Sequence, residues 1–208
     1  ELLTREEVNN LIENLRAKAP KLVEEAVPEL VRPADIQRVL QNLLRERVPI
    51  RDMEAIVETL ADWAPKTKDL DVLTEYVRNA LRRTICEQYA VRDEYGKLKL
   101  VCVTLDPAFE DAVAAYIDRG PAGTSVNMPA RVATQSAEQI MRALAHVTAA
   151  GHPPVVIASP QVRAVIWQLL EPHLPSAGVL AYNEVPPGVE VESLGLVTTE
   201  LTEGIHAA

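Results

Sequence analysis

The stretch Val39–Asp69, VLQNLLRERVPIRDMEAIVETLADWAPKTKD, determines how the first half of the chain folds. Its apolar residues recur every three or four positions on both sides of Pro49, which is the spacing of helices with one buried face. They are Val39, Leu40, Leu43 and Leu44 before the proline and Met53, Ile56, Val57, Leu60 and Ala64 after it. Because a residue that precedes proline favours an extended conformation, the first helix is predicted to end near Val48. Pro65 ends the second helix in the same way, so the stretch predicts a packed helical hairpin.

Five polar residues at the ends of this hairpin are not needed to build its apolar faces. Arg51 and Asp52 lie at the turn between the helices, and Lys66, Lys68 and Asp69 follow the second helix. The simplest interpretation is that Asp52 caps a helix and Arg51 is solvated, since exposed charges contribute little to stability. The alternative is that these five residues contact a neighbouring subunit or a partner. They are the candidate binding residues.

Composition excludes several functional classes. The chain has 208 residues, 48% hydrophobic and 25% charged, with a formal net charge of -9. This is the composition of a globular protein, and the negative charge disfavours binding to nucleic acid or to an anionic membrane. No stretch reaches the roughly 18 apolar residues of a membrane span. Because the chain starts at Glu1 without methionine, we expect a piece of a longer protein. Cys86 and Cys102 are expected to be buried thiols.

Glycine divides the chain. Residues 1–90 contain no glycine, and all eight glycines lie from Gly96 onward. A glycine-free half with helical periodicity predicts an all-helical region, whereas a glycine-punctuated half predicts a mixed one. The expected fold is therefore α+β with two subdomains, an all-helical one at 1–91 that contains the hairpin and a small α/β one at 96–208 with a mixed sheet. We expect the boundary between Val91 and Gly96.

Local signals place further elements. In the first half, Thr4 and Glu7 form a capping box, and a helix from about Asp71 carries Glu75 and Arg78 as a surface pair. In the second half we expect three helices: one capped by Asp106 with Pro107 at its first turn, a long one at 129–150, and one capped by Ser159. Strands are expected at 97–105, 155–158, 179–182 and 189–192. The last strand alternates valine and glutamate, which is typical of a sheet edge. Loops are expected at 120–123 and 151–154.

Catalytic and metal-binding patterns are weak. Ser159 follows a strand but has no glycine-rich loop before it, so a helix cap is favoured over a phosphate or nucleophile site. The histidines have no zinc-ligand spacing and are expected at the surface or near helix ends; they are His146, His152, His173 and His206. The acidic pairs Glu6-Glu7, Glu24-Glu25 and Glu110-Asp111 are interpreted as solvated faces. We expect no metal, cofactor or nucleotide, and no enzymatic activity.

A helix-turn-helix regulatory domain fused to a small ligand-binding α/β domain is the alternative function. The hairpin from Pro33 to Ala64 has four basic residues against six acidic ones. A module that binds phosphates shows the opposite balance. Charge therefore counts against the alternative.

The chain resembles the flagellar and type III secretion export-gate family, of the FlhA, InvA and LcrD type. The resemblance rests on short sequence words in a fixed order. Besides the hairpin with Arg51-Asp52 and Lys66-Thr67-Lys68-Asp69, they are Leu2–Val8, Pro20–Glu25, Leu73–Arg78, Val103–Pro107, Pro153–Val156, Tyr182–Val189 and Glu192–Gly195. The hairpin words are closer to the flagellar than to the virulence type.

The resemblance implies that this is the distal part of the C-terminal cytoplasmic region of a membrane-embedded export gate. Its membrane contact would run only through a preceding segment, at the cytoplasmic face of the bacterial inner membrane. The expected role is a docking and ring-assembly module for flagellar or type III protein export. The implied partners are other copies of the same protein, export chaperone–substrate complexes and the export ATPase complex, with no nucleic acid. The family implies no catalytic residue in this region.

Overall fold

The computed structural model describes residues 3–199, which form two compact units. The helical unit comprises the described chain up to Gln88 together with Arg119–Ser125 and Asn183–Pro186. The α/β unit comprises Tyr89–Asp118, Val126–Tyr182 and the described chain from Pro187 onward. The expected α+β class with a helical first part and a mixed sheet is confirmed, and the expected single boundary at residues 91–96 stays a prediction.

Six helices make up the first part of the chain. They are α1 (Arg5–Lys18), α2 (Pro20–Ala26), α3 (Pro33–Arg45), α4 (Met53–Trp63), α5 (Leu70–Ala80) and α6 (Arg82–Tyr89). The predicted capping box at α1 is present, since the Glu7 amide donates to Thr4 Oγ1 and the Glu7 carboxylate accepts from the Thr4 amide. The pair of hydrogen bonds satisfies donors that a helix start otherwise leaves free. This arrangement lowers the pKa of the Glu7 carboxyl.

The apolar periodicity of the hairpin builds the core of the helical unit. The predicted positions Val39, Leu40, Leu43, Ile56, Val57 and Leu60 are all fully buried, and Leu44 is half-buried. Residues from α1 and α5, such as Val8, Ile12, Leu73 and Val77, complete this core. Burying a large aliphatic side chain contributes about 1.5–3 kcal/mol, so this stripe is the main source of stability in the unit.

Two helix ends differ from the prediction. The end of α3 comes at Arg45, and Arg47 takes a left-handed backbone with a φ of 60°. In that conformation the Val48 amide donates to the Leu43 carbonyl and closes the helix. The helix expected from about Asp71 does begin there, at Leu70 with Asp69 as its cap, but it ends at Ala80 and is interrupted at Leu81, so that two helices follow each other.

The α/β unit is built on a five-stranded mixed sheet. Its strands are β1 (Val91–Arg92), β2 (Leu98–Leu105), β5 (Val155–Ala158), β6 (Gly178–Ala181) and β7 (Glu190–Val197). Strand β2 pairs in parallel with β5 and with β7, β5 pairs in parallel with β6, and β1 pairs antiparallel with β2. Within residues 3–199, β7 pairs only with β2, which confirms the predicted edge position. A second, two-stranded sheet consists of β3 (Ile117–Gly120) and β4 (Gly123–Val126).

Helices α7 (Pro107–Ala114), α8 (Ala130–Ala149) and α9 (Arg163–Leu170) connect these strands. As predicted, Asp106 caps α7 by accepting from the Ala108 amide at 2.8 Å. The core lies between the sheet and these helices, and its residues include Val101, Val103, Phe109, Ile140, Leu144, Val156 and Ile166. At Gly178 a side chain would meet the ring of Tyr89 at 2.5 Å, so β6 requires glycine there. Among the described helices, none is long and apolar enough to cross a membrane.

Three local expectations are wrong. Ser159 does not cap a helix, because α9 begins at Arg163 with Val162 before it. The loop expected at 120–123 is a tight hairpin turn, because Gly120 ends β3 and Gly123 begins β4. Glu110 is not part of a solvated face, since it is buried and its carboxylate accepts from the Ser159 amide at 3.2 Å. The other two acidic pairs are exposed as expected.

Candidate interaction surface

The turn between α3 and α4 presents Arg51 and Asp52 to solvent. Asp52 is the N-cap of α4, and its carboxylate accepts from the Ala55 amide at 3.0 Å. Arg51 is exposed, and its guanidinium makes no hydrogen bond or ion pair with any residue between 3 and 199. The local role predicted for Asp52 is therefore confirmed. Arg51 is thus an exposed cation with no hydrogen-bond or ion-pair partner among residues 3–199.

The turn between α4 and α5 holds the other three predicted residues, each in a local contact. The Lys68 ammonium donates to the Ala64 carbonyl at 3.0 Å, where the carbonyls at the end of α4 attract a cation. Asp69 Oδ1 accepts from the amides of Asp71 and Val72 and so caps α5, while Asp69 Oδ2 accepts from Thr124 Oγ1 at 2.7 Å. Thr124 belongs to the segment of the β3–β4 hairpin that is part of the helical unit.

Lys66 lies on an aromatic pair. Its ammonium is 4.3 Å from the centre of the Trp63 ring, and Trp63 stacks on Tyr76 with ring centres 3.8 Å apart. An exposed cation–π contact is worth about 0.5–1 kcal/mol, which is enough to bias the position of Lys66 without fixing it. The end of α4 therefore offers an aromatic surface beneath an exposed cation.

The structure separates the two groups of predicted residues by the length of α4. An eleven-residue helix is about 16 Å long, so Arg51 lies far from Lys66, Lys68 and Asp69. Between them, the exposed residues Glu54, Glu58 and Asp62 recur every four positions and form one stripe. We call the line of Arg51, Glu54, Glu58, Asp62 and Lys66 the α4 face. It is cationic at both ends and anionic between them.

The helical unit contains a buried ion cluster that the sequence pattern did not predict. Arg78, which was expected in a surface pair with Glu75, is only 2% exposed and lies between two carboxylates. Its guanidinium is 3.1 Å from Glu46 and 3.0 Å from Glu184, whose side chains are only 8% and 2% exposed. Glu184 comes from a 3₁₀ turn at Tyr182–Glu184, and the adjacent Asn183 carbonyl accepts from the side-chain Nδ2 of Asn79 at 3.1 Å.

A signal for Arg78 was present in the sequence. Arg78 directly follows Val77 and lies three positions before Leu81, so a helical wheel places it at the margin of the buried face. The identity of its partners was not predictable, since Glu184 is 106 positions away. Removing one partner of such a buried cluster leaves uncompensated charge in a dry site, so the cluster fixes the packing of the segments that carry it.

No metal site emerges from the described residues. Groups of three or more histidine, cysteine, aspartate or glutamate side chains that could hold a metal ion are absent between residues 3 and 199. His146 and His173 are exposed and His152 is half-buried, whereas His206 lies outside the described residues. Both cysteines are buried free thiols, as predicted.

Comparison with known proteins gives one consistent result. Residues 1–190 match the FHIPEP family. The chain is 36% identical over 197 residues to the flagellar biosynthesis protein FlhA of Bacillus subtilis, which covers 95% of this chain and 28% of that protein. The chain thus spans about a quarter of the length of the curated relatives it matches.

Two solved structures share the fold. The nonameric SctV-C of EPEC superimposes with a TM-score of 0.79 at 28% identity, covering 93% of this chain and 57% of that one. CdsV in the complex of Chlamydia pneumoniae CdsV and CdsO has a TM-score of 0.79 at 27% identity, covering 93% of this chain and 56% of that one. Both the helical and the α/β parts of the fold therefore occur together in relatives that have been solved as assemblies.

Proposed function

The chain belongs to the FHIPEP family, and we propose that it is a cytoplasmic docking and ring-assembly module of a protein-export gate. In this role the chain binds copies of itself in a ring at the cytoplasmic face of the bacterial inner membrane. It acts by recognition and not by catalysis. The nonameric assembly of the EPEC relative supports self-association, and the family's flagellar members support a role in export.

The observation that carries this proposal is the α4 face with its unpaired cation. Arg51 is exposed and has no partner in the described chain, so it contributes at most about 1 kcal/mol to folding. The same charge at a subunit interface orients the partners and raises the rate of association. The α4 face is cationic at both ends and anionic between them, so a different surface of the next copy with the complementary charges can bind it, which is the heterologous kind of contact that a ring requires.

Further partners belong to the same proposal. We expect the ring to receive export chaperone–substrate complexes and to contact the export ATPase complex. The solved complex of the relative CdsV with CdsO supports a second protein partner. The sequence words of the hairpin favour a flagellar over a virulence system.

The test is a charge reversal on the α4 face. In Arg51→Glu we expect an unchanged melting temperature but impaired ring assembly, and reduced motility or secretion in cells. Arg83→Glu, on the exposed side of α6, is the matched control and should leave both properties unchanged. A stable Arg51→Glu variant with normal assembly and secretion would contradict the proposed interface. A clearly lower melting temperature would show that Arg51 is structural.

Partner binding needs a separate measurement. A pull-down of export-apparatus proteins with this chain and with a longer form of the protein should recover a chaperone–substrate complex or an ATPase component. Recovery by neither form would contradict the docking part of the proposal while leaving ring assembly standing.

A further inference from the structure

The turn between β1 and β2 presents a single aromatic side chain on a rigid support. Tyr95 is 87% exposed. Asp93 Oδ1 accepts from the amides of Tyr95 and Lys97 at 2.9 and 2.8 Å, and the Asp93 amide donates to the Lys97 carbonyl at 2.9 Å. Gly96 takes the left-handed conformation that the turn requires, with a φ of 77°. A turn whose backbone is already held in this way loses little backbone entropy when its tip binds.

The same α/β unit contains a pocket of about 360 Å³ between α7 and α8. Its walls are mainly apolar, with amide side chains on the α8 side. The residues that matter here are Phe109, Val113, Met128, Val132, Gln135 and Gln139. Pockets of roughly 300–1,000 Å³ take small-molecule-sized groups, so this one has room for one phenol ring. The two glutamine amides can bond a hydroxyl at its rim.

Charge is complementary between the turn and the pocket. Glu94, next to Tyr95, is exposed and negative. Met128 and Val132 lie at the start of α8, a twenty-residue helix with no acidic residue in its first turn and no side-chain cap. Arg131 in that turn is exposed. The positive end of the helix dipole and the arginine therefore favour a carboxylate at this place.

The turn and the pocket lie at opposite ends of β2. The turn directly precedes this eight-residue strand and α7 follows it, so they are about 26 Å apart along the strand. Tyr95 cannot reach the pocket of its own chain. A contact between different surfaces of identical chains is heterologous, and repetition of such a contact produces rings or filaments.

We propose that Tyr95 of one copy inserts into the α7–α8 pocket of the next copy, with Glu94 facing the start of α8. The inference rests on the proposed ring assembly and names a second contact in it, separate from the α4 face. The occupant is a second copy because the chain itself offers both the aromatic side chain and a pocket of matching size and charge.

Disulfide trapping tests this contact directly. Tyr95→Cys and Gln135→Cys are placed in one chain, which is oxidised at concentrations up to about 1 mM. We expect a ladder of dimers, trimers and larger species on non-reducing gels. Chains that carry only one of the two substitutions should give dimers when mixed and nothing larger. Tyr95→Cys with Ala145→Cys, on an exposed position of α8, is the control and should give no ladder.

Measurement of the self-association equilibrium is the second test. Because Tyr95 is exposed, Tyr95→Ala should keep the melting temperature and weaken self-association about tenfold or more by sedimentation, as loss of an aromatic anchor does. Glu94→Arg should also weaken self-association, and Arg131→Glu should restore part of it in the double variant. Tyr95→Phe should weaken it less than Tyr95→Ala.

Two results overturn the inference. The first is that the double-cysteine chain gives no ladder, or that Tyr95→Ala self-associates as strongly as wild type. If Arg51→Glu still disrupts the ring in that case, the proposed function stands without this contact. The second is that Val132→Asp no longer binds a different protein of the apparatus whereas Tyr95→Ala still binds it. The pocket would then bind that protein and not Tyr95. If the wild-type protein does not self-associate at all, the proposed function fails together with this inference.

Discussion

At the scale of single residues, burial of charge separates structural side chains from available ones. Arg78 and Arg51 are both arginines in the helical unit, yet Arg78 is enclosed by Glu46 and Glu184 whereas Arg51 faces solvent. A buried cluster of this kind does not make a protein more stable than apolar residues would, but it is costly to break. We therefore assign Arg78 to the fold, whereas the binding role of Arg51 stays a prediction.

Replacement of Arg78 should show this difference. We expect Arg78→Met to lower the unfolding free energy of the helical unit by about 3–5 kcal/mol, because two carboxylates stay buried without their cation. Chemical denaturation measures the loss. The triple variant with Glu46→Gln and Glu184→Gln should recover much of it, and Arg83→Met should have little effect. A loss below about 1 kcal/mol in Arg78→Met would mean that the cluster is hydrated and structurally unimportant.

The buried thiols lead to a pH prediction. Burial raises the pKa of Cys102 to about 11 from an ordinary value of 9.0, and burial also raises the pKa of Cys86. An unfolded thiol releases its proton near pH 9 while the folded Cys102 keeps it. The unfolding free energy should therefore fall as pH rises from about 9 to 11, and Cys102→Ala should reduce the slope.

The same burial should make both thiols unreactive in the native chain. Thiol reagents attack the thiolate, so at pH 8 we expect negligible labelling before denaturation and two labelled groups per chain after it. Rapid labelling of native protein at either cysteine would contradict the burial described here.

At the scale of elements, the apolar periodicity of the sequence predicted the helices well, and the helix ends less well. The hairpin α3–α4, the long α8 and strands β2, β5, β6 and β7 follow from periodicity and from the punctuation by proline and glycine. The β3–β4 hairpin was missed because its strands have four residues each and are largely exposed, so they carry no apolar alternation. The end of α3 was attributed to Pro49, whereas the left-handed Arg47 closes the helix two residues earlier.

Arg47 is the element-scale test. A left-handed conformation strains any residue with a Cβ atom, and such a residue costs about 1 kcal/mol or more relative to glycine. We expect Arg47→Gly to raise the melting temperature by about 2–4 °C for a chain of this size. Arg47→Ala keeps the strain and should not raise it. A lower melting temperature in Arg47→Gly would show that the Arg47 side chain stabilises the helix end.

The contacts of the candidate binding residues were predictable from the sequence only where the partner lies nearby in the chain. Local sequence placed Asp52 as a cap correctly, because a cap depends on residues three positions away. It did not anticipate that Asp69 caps α5 and also accepts from Thr124, since that contact joins residues 55 positions apart. Partners of buried or bridging side chains depend on the tertiary fold, which no local pattern encodes.

At the scale of the whole molecule, the division of the chain stays a prediction that proteolysis can test. We expect brief digestion to cut first between Arg92 and Lys97 or in the loops around Gly120 and Gly151, where the turns are exposed. Fragments close to 1–91 and 96–208 identified by mass spectrometry would support one boundary. Because residues 119–125 and 183–186 belong to the helical unit, rapid unfolding of the isolated fragment 1–91 is also expected. Initial cuts within α3 or α8 would contradict the predicted boundary.

The measurement that tests the central claim most directly is the mass of the assembled protein, by native mass spectrometry, for wild type and for Arg51→Glu. The account predicts a closed assembly of nine copies for wild type, as in the EPEC relative, and dissociation to smaller species for Arg51→Glu with an unchanged melting temperature. Arg83→Glu should assemble as wild type does. A nine-copy assembly that persists in Arg51→Glu, or a wild-type protein that stays monomeric, would contradict the account.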